Sequence, residues 1–122
     1  MAGQAGTVEY SANFGRIYST VNPLDIDIVS MGGIAGLVDY ARNCVNYGLV
    51  DIPTMFVAEE HGSSTDYAHC GGIAGICYNS MANCLNLGKL TDAILYHQSV
   101  PSYIAYGLCG SNKVTPQTSY YL

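Results

Sequence analysis

Three places in the chain bring together side chains that could do chemistry. His69 and Cys70 are neighbours with Asp66 close by, the ingredients of a thiol nucleophile activated by an imidazole base. Asp25 and Asp27 alternate with apolar residues in Leu24-Asp25-Ile26-Asp27-Ile28-Val29, which puts two carboxylates on one strand face. They could hold calcium, but that ion takes six to eight oxygens and only two carboxylates are offered. Glu59-Glu60-His61 combines acids and an imidazole but lacks the second histidine of a helical zinc site. Each group has a plainer reading. Cys70 falls where an earlier copy of a repeated pattern has Met31, an apolar position leading into a strand. The carboxylates read as solvated. No phosphate-binding loop and no Cys-x-x-Cys pair occurs. The chain is therefore expected to be non-enzymatic, with no catalytic residue, no metal and no cofactor.

Eleven tyrosines and no tryptophan suggest contact rather than catalysis. Exposed tyrosine offers an amphipathic surface at small entropic cost, so Tyr18, Tyr40, Tyr47 and Tyr78 could line a face for a glycan or a protein. The competing reading makes them half-buried strand residues.

The elements that must position these residues come from a repeat. Gly32-Gly33-Ile34-Ala35-Gly36 recurs as Gly71-Gly72-Ile73-Ala74-Gly75 and, more loosely, as Tyr106-Gly107-Leu108-Cys109-Gly110. The last glycine of each copy steps by 39 and then 35 residues, a period that marks a repeat architecture. A second pattern follows each copy: Asn43-Cys44-Val45-Asn46-Tyr47-Gly48, then Asn83-Cys84-Leu85-Asn86-Leu87-Gly88. Tyr10 to Ile17 fits the same frame with Ser11 at the cysteine position, and Thr118 to Tyr121 fits it with Ser119 there. Positions 11, 44, 84 and 119 are spaced by 33, 40 and 35 residues.

Short runs of Ile, Val, Leu, Tyr and Cys bounded by Gly, Asn, Asp and Ser read as strands. No sustained helical stripe occurs; the best helical candidate, Tyr67 to Cys77, is weakened by its glycines. Thr20 to Val29 reads as an excursion with an extra strand, while Pro53 to His69 and Leu95 to Ala105 read as loops. All three leave the repeat at a similar place and should project from one side.

The expected fold is all-β: a parallel β-solenoid-like repeat of about three turns, with loop or hairpin excursions. It forms one domain over residues 1–122, with units near 11–43, 44–83 and 84–118. Equivalent residues would then stack about 4.8 Å apart. Gly15, Gly48 and Gly88 would form a corner needing positive φ or close backbone approach. Asn13, Asn46 and Asn86 would form an amide ladder, and Cys44 and Cys84 a second column. Gly33, Gly36, Gly72, Gly75, Gly107 and Gly110 would mark a glycine corner, with Ile34, Ile73 and Leu108 behind it. Another all-β repeat, such as a sandwich, barrel or propeller blade, remains open on this pattern alone.

Composition narrows the partners. Of 122 residues, 49% are hydrophobic and 11% charged, with a formal net charge of −5. High hydrophobicity with low charge opposes disorder. Arg16, Arg42, Lys89 and Lys113 are scattered and make no basic stripe for nucleic acid. No run reaches the length of a membrane helix, so membrane insertion is not expected. Residues 1–6 lack the basic and apolar regions of a signal peptide. Five cysteines, an odd number, argue against a closed disulfide framework.

The paired glycine and Asn-Cys-x-Asn-x-Gly elements resemble the GLUG-motif repeat. Residues 32–36 with 43–48 and residues 71–75 with 83–88 match it well, and 106–110 with 119–121 in part. The resemblance implies a secreted or cell-surface, adhesin-like β-repeat. Its expected partners are copies of itself stacked end to end into a filament, or neighbouring repeats of a longer chain. The alternatives are a module binding a glycan or host protein, and an accessory region of a surface peptidase.

Overall fold

The computed structural model of the chain describes residues 2–18, 29–51, 55–57, 68–91, 94–97, 100–103, 105–110 and 119–121. These residues form strands and turns, with no helix among them. The first repeat holds β1 (Ala2–Glu9), β2 (Ala12–Asn13) and β3 (Ile17–Tyr18). The second holds β4 (Val29–Gly32), β5 (Ala35–Arg42), β6 (Val45–Asn46) and β7 (Val50–Asp51). After β8 (Met55–Val57), the third holds β9 (Ala68–Gly71), β10 (Ala74–Ala82) and β11 (Leu85–Asn86). Then come β12 (Ile94–His97), β13 (Val100–Tyr103), β14 (Ala105–Tyr106) and β15 (Tyr120–Tyr121).

Strands from one repeat pair with their counterparts in the next, in several sheets. One runs β1-β5-β10, another β15-β11-β6-β2, a third β14-β9-β4 and a fourth β3-β7. All of these pairings are parallel and join equivalent residues, such as Asn13 with Asn46 and Asn46 with Asn86. The only antiparallel pairing among the described strands is β12 with β13. Apart from Ile94, both strands lie in the stretch expected to be a loop, Leu95 to Ala105. Pro101 suggests a break, but a proline is compatible with an edge strand, and β13 is the outer member of β13-β12-β8.

Other expectations change as well. The helical candidate Tyr67 to Cys77 holds β9 and the start of β10. Glycine weakens a helix, and here Gly71, Gly72 and Gly75 each lie against backbone of an adjacent repeat. The expected loop Pro53 to His69 contains β8, paired in parallel with β12. The extra strand expected over Leu24 to Val29 lies outside the described residues except Val29, which opens β4. Pairing between repeats also extends upstream of residue 11, since β1 pairs along β5 from Ala2–Ala35 to Glu9–Arg42.

The two repeat spacings, 39 by glycine and 40 by cysteine, differ for a visible reason. β10 pairs Cys77 with Val38 but Ser80 with Tyr40, so one extra residue bulges out of the ladder. Downstream of the bulge Met81 faces Ala41, and register is regained.

The core lies between the sheets. Ile34, Ala35, Val38, Ala41, Cys44, Ile73, Ala74, Cys77, Met81, Cys84 and Leu108 form one buried cluster. Ile34 and Ile73 are fully enclosed, each contributing roughly 1.5–3 kcal/mol of burial free energy.

Candidate functional site

The repeat residues meet in hydrogen-bonded columns. Asn13 Nδ2 donates to Asn46 Oδ1 at 2.9 Å, and Asn46 Nδ2 donates to Asn86 Oδ1 at 2.8 Å. Each asparagine also closes its own corner. The backbone N–H groups of Gly15, Gly48 and Gly88 donate to the Oδ1 atoms of Asn13, Asn46 and Asn86 at 3.0, 3.1 and 3.2 Å. Asn46 Nδ2 further donates to the Gly48 carbonyl at 3.1 Å. Asn46 thus uses two donors and two acceptor positions, its full capacity, at 0% exposure. A buried amide with any of these missing would be costly.

The glycines make room for this ladder. A Cβ at Gly33 would lie 2.4 Å from Asn46 Cγ, and one at Gly72 would lie 2.1 Å from Asn86 Nδ2. Asn86 Nδ2 continues the chain of bonds to the Gly107 carbonyl at 3.0 Å. The glycine motif and the asparagine motif are therefore two halves of one contact. Gly36, Gly75 and Gly110 form another column. A Cβ on each would approach the carbonyl oxygen of Gly3, Gly36 or Gly75 to 2.8, 2.7 and 2.8 Å.

At the Asn-x-Gly corner, Gly48 and Gly88 are required by close approach alone. Their Cβ atoms would lie 1.9 Å from the carbonyl oxygens of Gly15 and Gly48. No described glycine has positive φ, so of the two expected grounds close approach is the one that applies at Gly48 and Gly88. The left-handed residues are Tyr10, Asn43 and Asn83, with φ of 49°, 54° and 52°. They share one repeat position, directly before the serine or cysteine. Asparagine tolerates this conformation better than most residues. Sequence reasoning missed this role and also missed Gly3, although a 33-residue step back from Gly36 leads to it.

Cys44 and Cys84 occupy one column between Ser11 and Ser119. The Cys84 N–H donates to Ser119 Oγ at 3.1 Å, and the Cys44 thiol donates to the Arg42 carbonyl at 3.1 Å. Hydrogen bonding with Cys44, and then burial, push the Cys84 thiol up. No disulfide joins any of the five cysteines.

Of the groups that could be reactive, His69 and Cys70 lie in β9. Cys70 pairs with Met31 across β4 and β9, and burial pushes its thiol up to about 12, away from the thiolate a nucleophile needs. Asp25, Asp27, Glu59, Glu60, His61 and Asp66 lie outside the described residues. Among the described residues, no three His, Cys, Asp or Glu side chains gather as a metal site.

Of the tyrosines singled out, Tyr18, Tyr40 and Tyr78 lie in β3, β5 and β10, and Tyr47 follows β6. Tyr18 in β3 lies under the Arg16 guanidinium at 5.0 Å, and Tyr40 in β5 under that of Arg42 at 5.4 Å. Tyr78 stands beside the bulge in β10. Tyr47 stacks on Phe14 with ring centroids 4.8 Å apart and planes 5° from parallel. Phe14 was not singled out from sequence, although it and Tyr47 hold the same repeat position. Compared with protein-family models, curated proteins and solved structures, the chain matches none.

Proposed function

We propose that the chain is a non-enzymatic structural module. On this reading it is a parallel β-solenoid-like coil of about three turns, resembling the GLUG-motif repeats, within a secreted or cell-surface adhesin-like protein. The observation that supports it is the buried asparagine ladder. Asn46 commits every hydrogen-bonding group to its own turn and to the turns on either side. Nothing on that side chain is left for a substrate. Its effect is to fix the spacing and register of neighbouring turns.

Such a module should accept more of itself. Duplicating residues 44–83 in place adds one turn with its own ladder asparagine. In a stack whose stability grows by nearest-neighbour contacts, the extra turn should raise the thermal midpoint while keeping one cooperative transition. Loss of cooperative folding would count against the coil.

The exposed stack of Phe14 on Tyr47 favours a second reading, a contact surface for a glycan or protein. Phe14 is 76% exposed, unusual for a ring with only a structural task. Screening on a glycan array, with Phe14→Ala and Tyr47→Ala as controls, tests it. Binding lost in both variants supports the reading, and no binding by the parent chain removes it.

A further inference from the structure

We infer that the N-terminal edge of the stack is a docking edge for one more turn of the same repeat, carried by a polypeptide segment presenting Asn-x-Gly at the ladder position. The inference rests on the coil reading above and names its partner.

Three independent observations meet at this edge. The first is in the backbone. Val45 and Tyr47 N–H donate back to the carbonyls of Ser11 and Asn13 at 2.9 and 2.8 Å, and Leu85 and Leu87 to those of Cys44 and Asn46 at the same distances. Their counterparts in the first repeat are Ala12 and Phe14. β2 is the outer strand of its sheet, and these two N–H groups have no acceptor among the described residues. The second is the ladder itself. The Oδ1 atoms of Asn46 and Asn86 each accept an amide from the preceding asparagine as well as a glycine N–H. Asn13 Oδ1 accepts only the Gly15 N–H among the described residues, although Asn13 is only 5% exposed.

The third is steric. Gly48, Gly88, Gly36 and Gly75 each clear a glycine carbonyl of the preceding repeat. Gly3 heads one of these columns in β1, and Gly15 heads the other at the turn after β2. A Cβ on Gly3 would meet nothing within 4 Å, and one on Gly15 only Asn13 Oδ1 at 3.6 Å. The two glycines thus keep a clearance that the described chain does not use. One added turn would use all of it. Its carbonyls would accept from Ala12 and Phe14, its asparagine amide would donate to Asn13 Oδ1, and its glycine carbonyls would fill the space over Gly3 and Gly15.

A second copy of this chain stacked head to tail fits less well. Its last described strand places Tyr121 in register with Asn86, so it brings no amide to Asn13.

The test adds a copy of residues 34–73 directly ahead of Ala2, which keeps the register in which Ala2 and Ala74 both pair with Ala35, and reads amide hydrogen exchange by NMR. Exchange at Ala12 and Phe14 should slow by about tenfold or more, toward the protection of Tyr47 and Leu87. Replacing the added turn's ladder asparagine by alanine, or introducing Gly3→Val and Gly15→Val, should abolish the slowing. The parent chain separates the two readings. Rapid exchange at Val45, Tyr47, Leu85 and Leu87 in the parent would sink the coil itself. Protection there, with Ala12 and Phe14 unchanged by the added turn, would overturn the docking edge alone. Self-association of the parent that Gly3→Val abolishes would make a second copy the occupant and overturn the partner named here.

Discussion

A methyl group at Gly48 or Gly88 would sit 1.9 Å from a backbone oxygen, a clash that only backbone movement can relieve. Gly48→Ala and Gly88→Ala are each expected to destabilise the fold by about 3 kcal/mol or more. Gly15→Ala, at the same repeat position but with open space above, should leave the thermal midpoint unchanged or slightly raised through the unfolded chain. Tyr10 tests the left-handed position in the opposite direction. Tyr10→Asn matches Asn43 and Asn83, and should stabilise by about 0.5–1 kcal/mol in chemical denaturation. Cys70 gives a pH dependence whose sign follows from burial. Its thiol is raised from 9.0 to about 12 in the fold. The unfolded chain therefore loses this proton first, and stability falls as pH rises from about 9 to 12. Denaturant midpoints across that window should fall less steeply in Cys70→Ala. The Asn13, Asn46, Asn86 column was legible at this scale because all three residues recur at one offset from a glycine. The left-handed position was hidden because the first repeat carries tyrosine there.

The asparagine ladder ties the short strands β2, β6 and β11 into one element. Two-residue strands have little ladder of their own, so buried amides carry much of the register. Asn46→Ala leaves Asn13 Nδ2, Asn86 Oδ1 and the Gly48 corner short of partners, and should cost about 2–4 kcal/mol. Asn13→Ala at the edge should cost visibly less, and denaturation of the two variants side by side checks the order. Strand existence was readable from short apolar runs between turn residues, but strand edges were not. β1 was missed because Ala2-Gly3-Gln4-Ala5-Gly6 carries almost no apolar side chain, and backbone pairing with β5 makes it a strand. The inward residues of β5 are Ala35, Val38 and Ala41, spaced by three. Simple alternation would have turned Val38 outward.

Across the whole molecule, cohesion comes from repeated vertical contacts rather than charge. The described ion pairs, Arg16–Asp51 and Arg42–Glu9, are solvent-exposed and span adjacent repeats. Such pairs contribute about 0–1 kcal/mol and are screened by salt. Raising sodium chloride to about 0.5 M should therefore move the thermal midpoint by no more than about 2 °C. The all-β class and the pairing of equivalent repeats were legible because small residues recur wherever backbones approach. The antiparallel pair β12–β13 was not, since among the described residues it has no second copy for comparison.

The sulfur atoms carry one more consequence. Cys44, Cys70, Cys77 and Cys84 are enclosed and unbridged, so in the native chain these four thiols are shielded from oxidants by inaccessibility. Unfolding releases these thiols together into contact with oxygen and with one another. A melt in air should then be irreversible and leave cross-linked species on a non-reducing gel, whereas the same melt under a reductant should retrace itself on cooling.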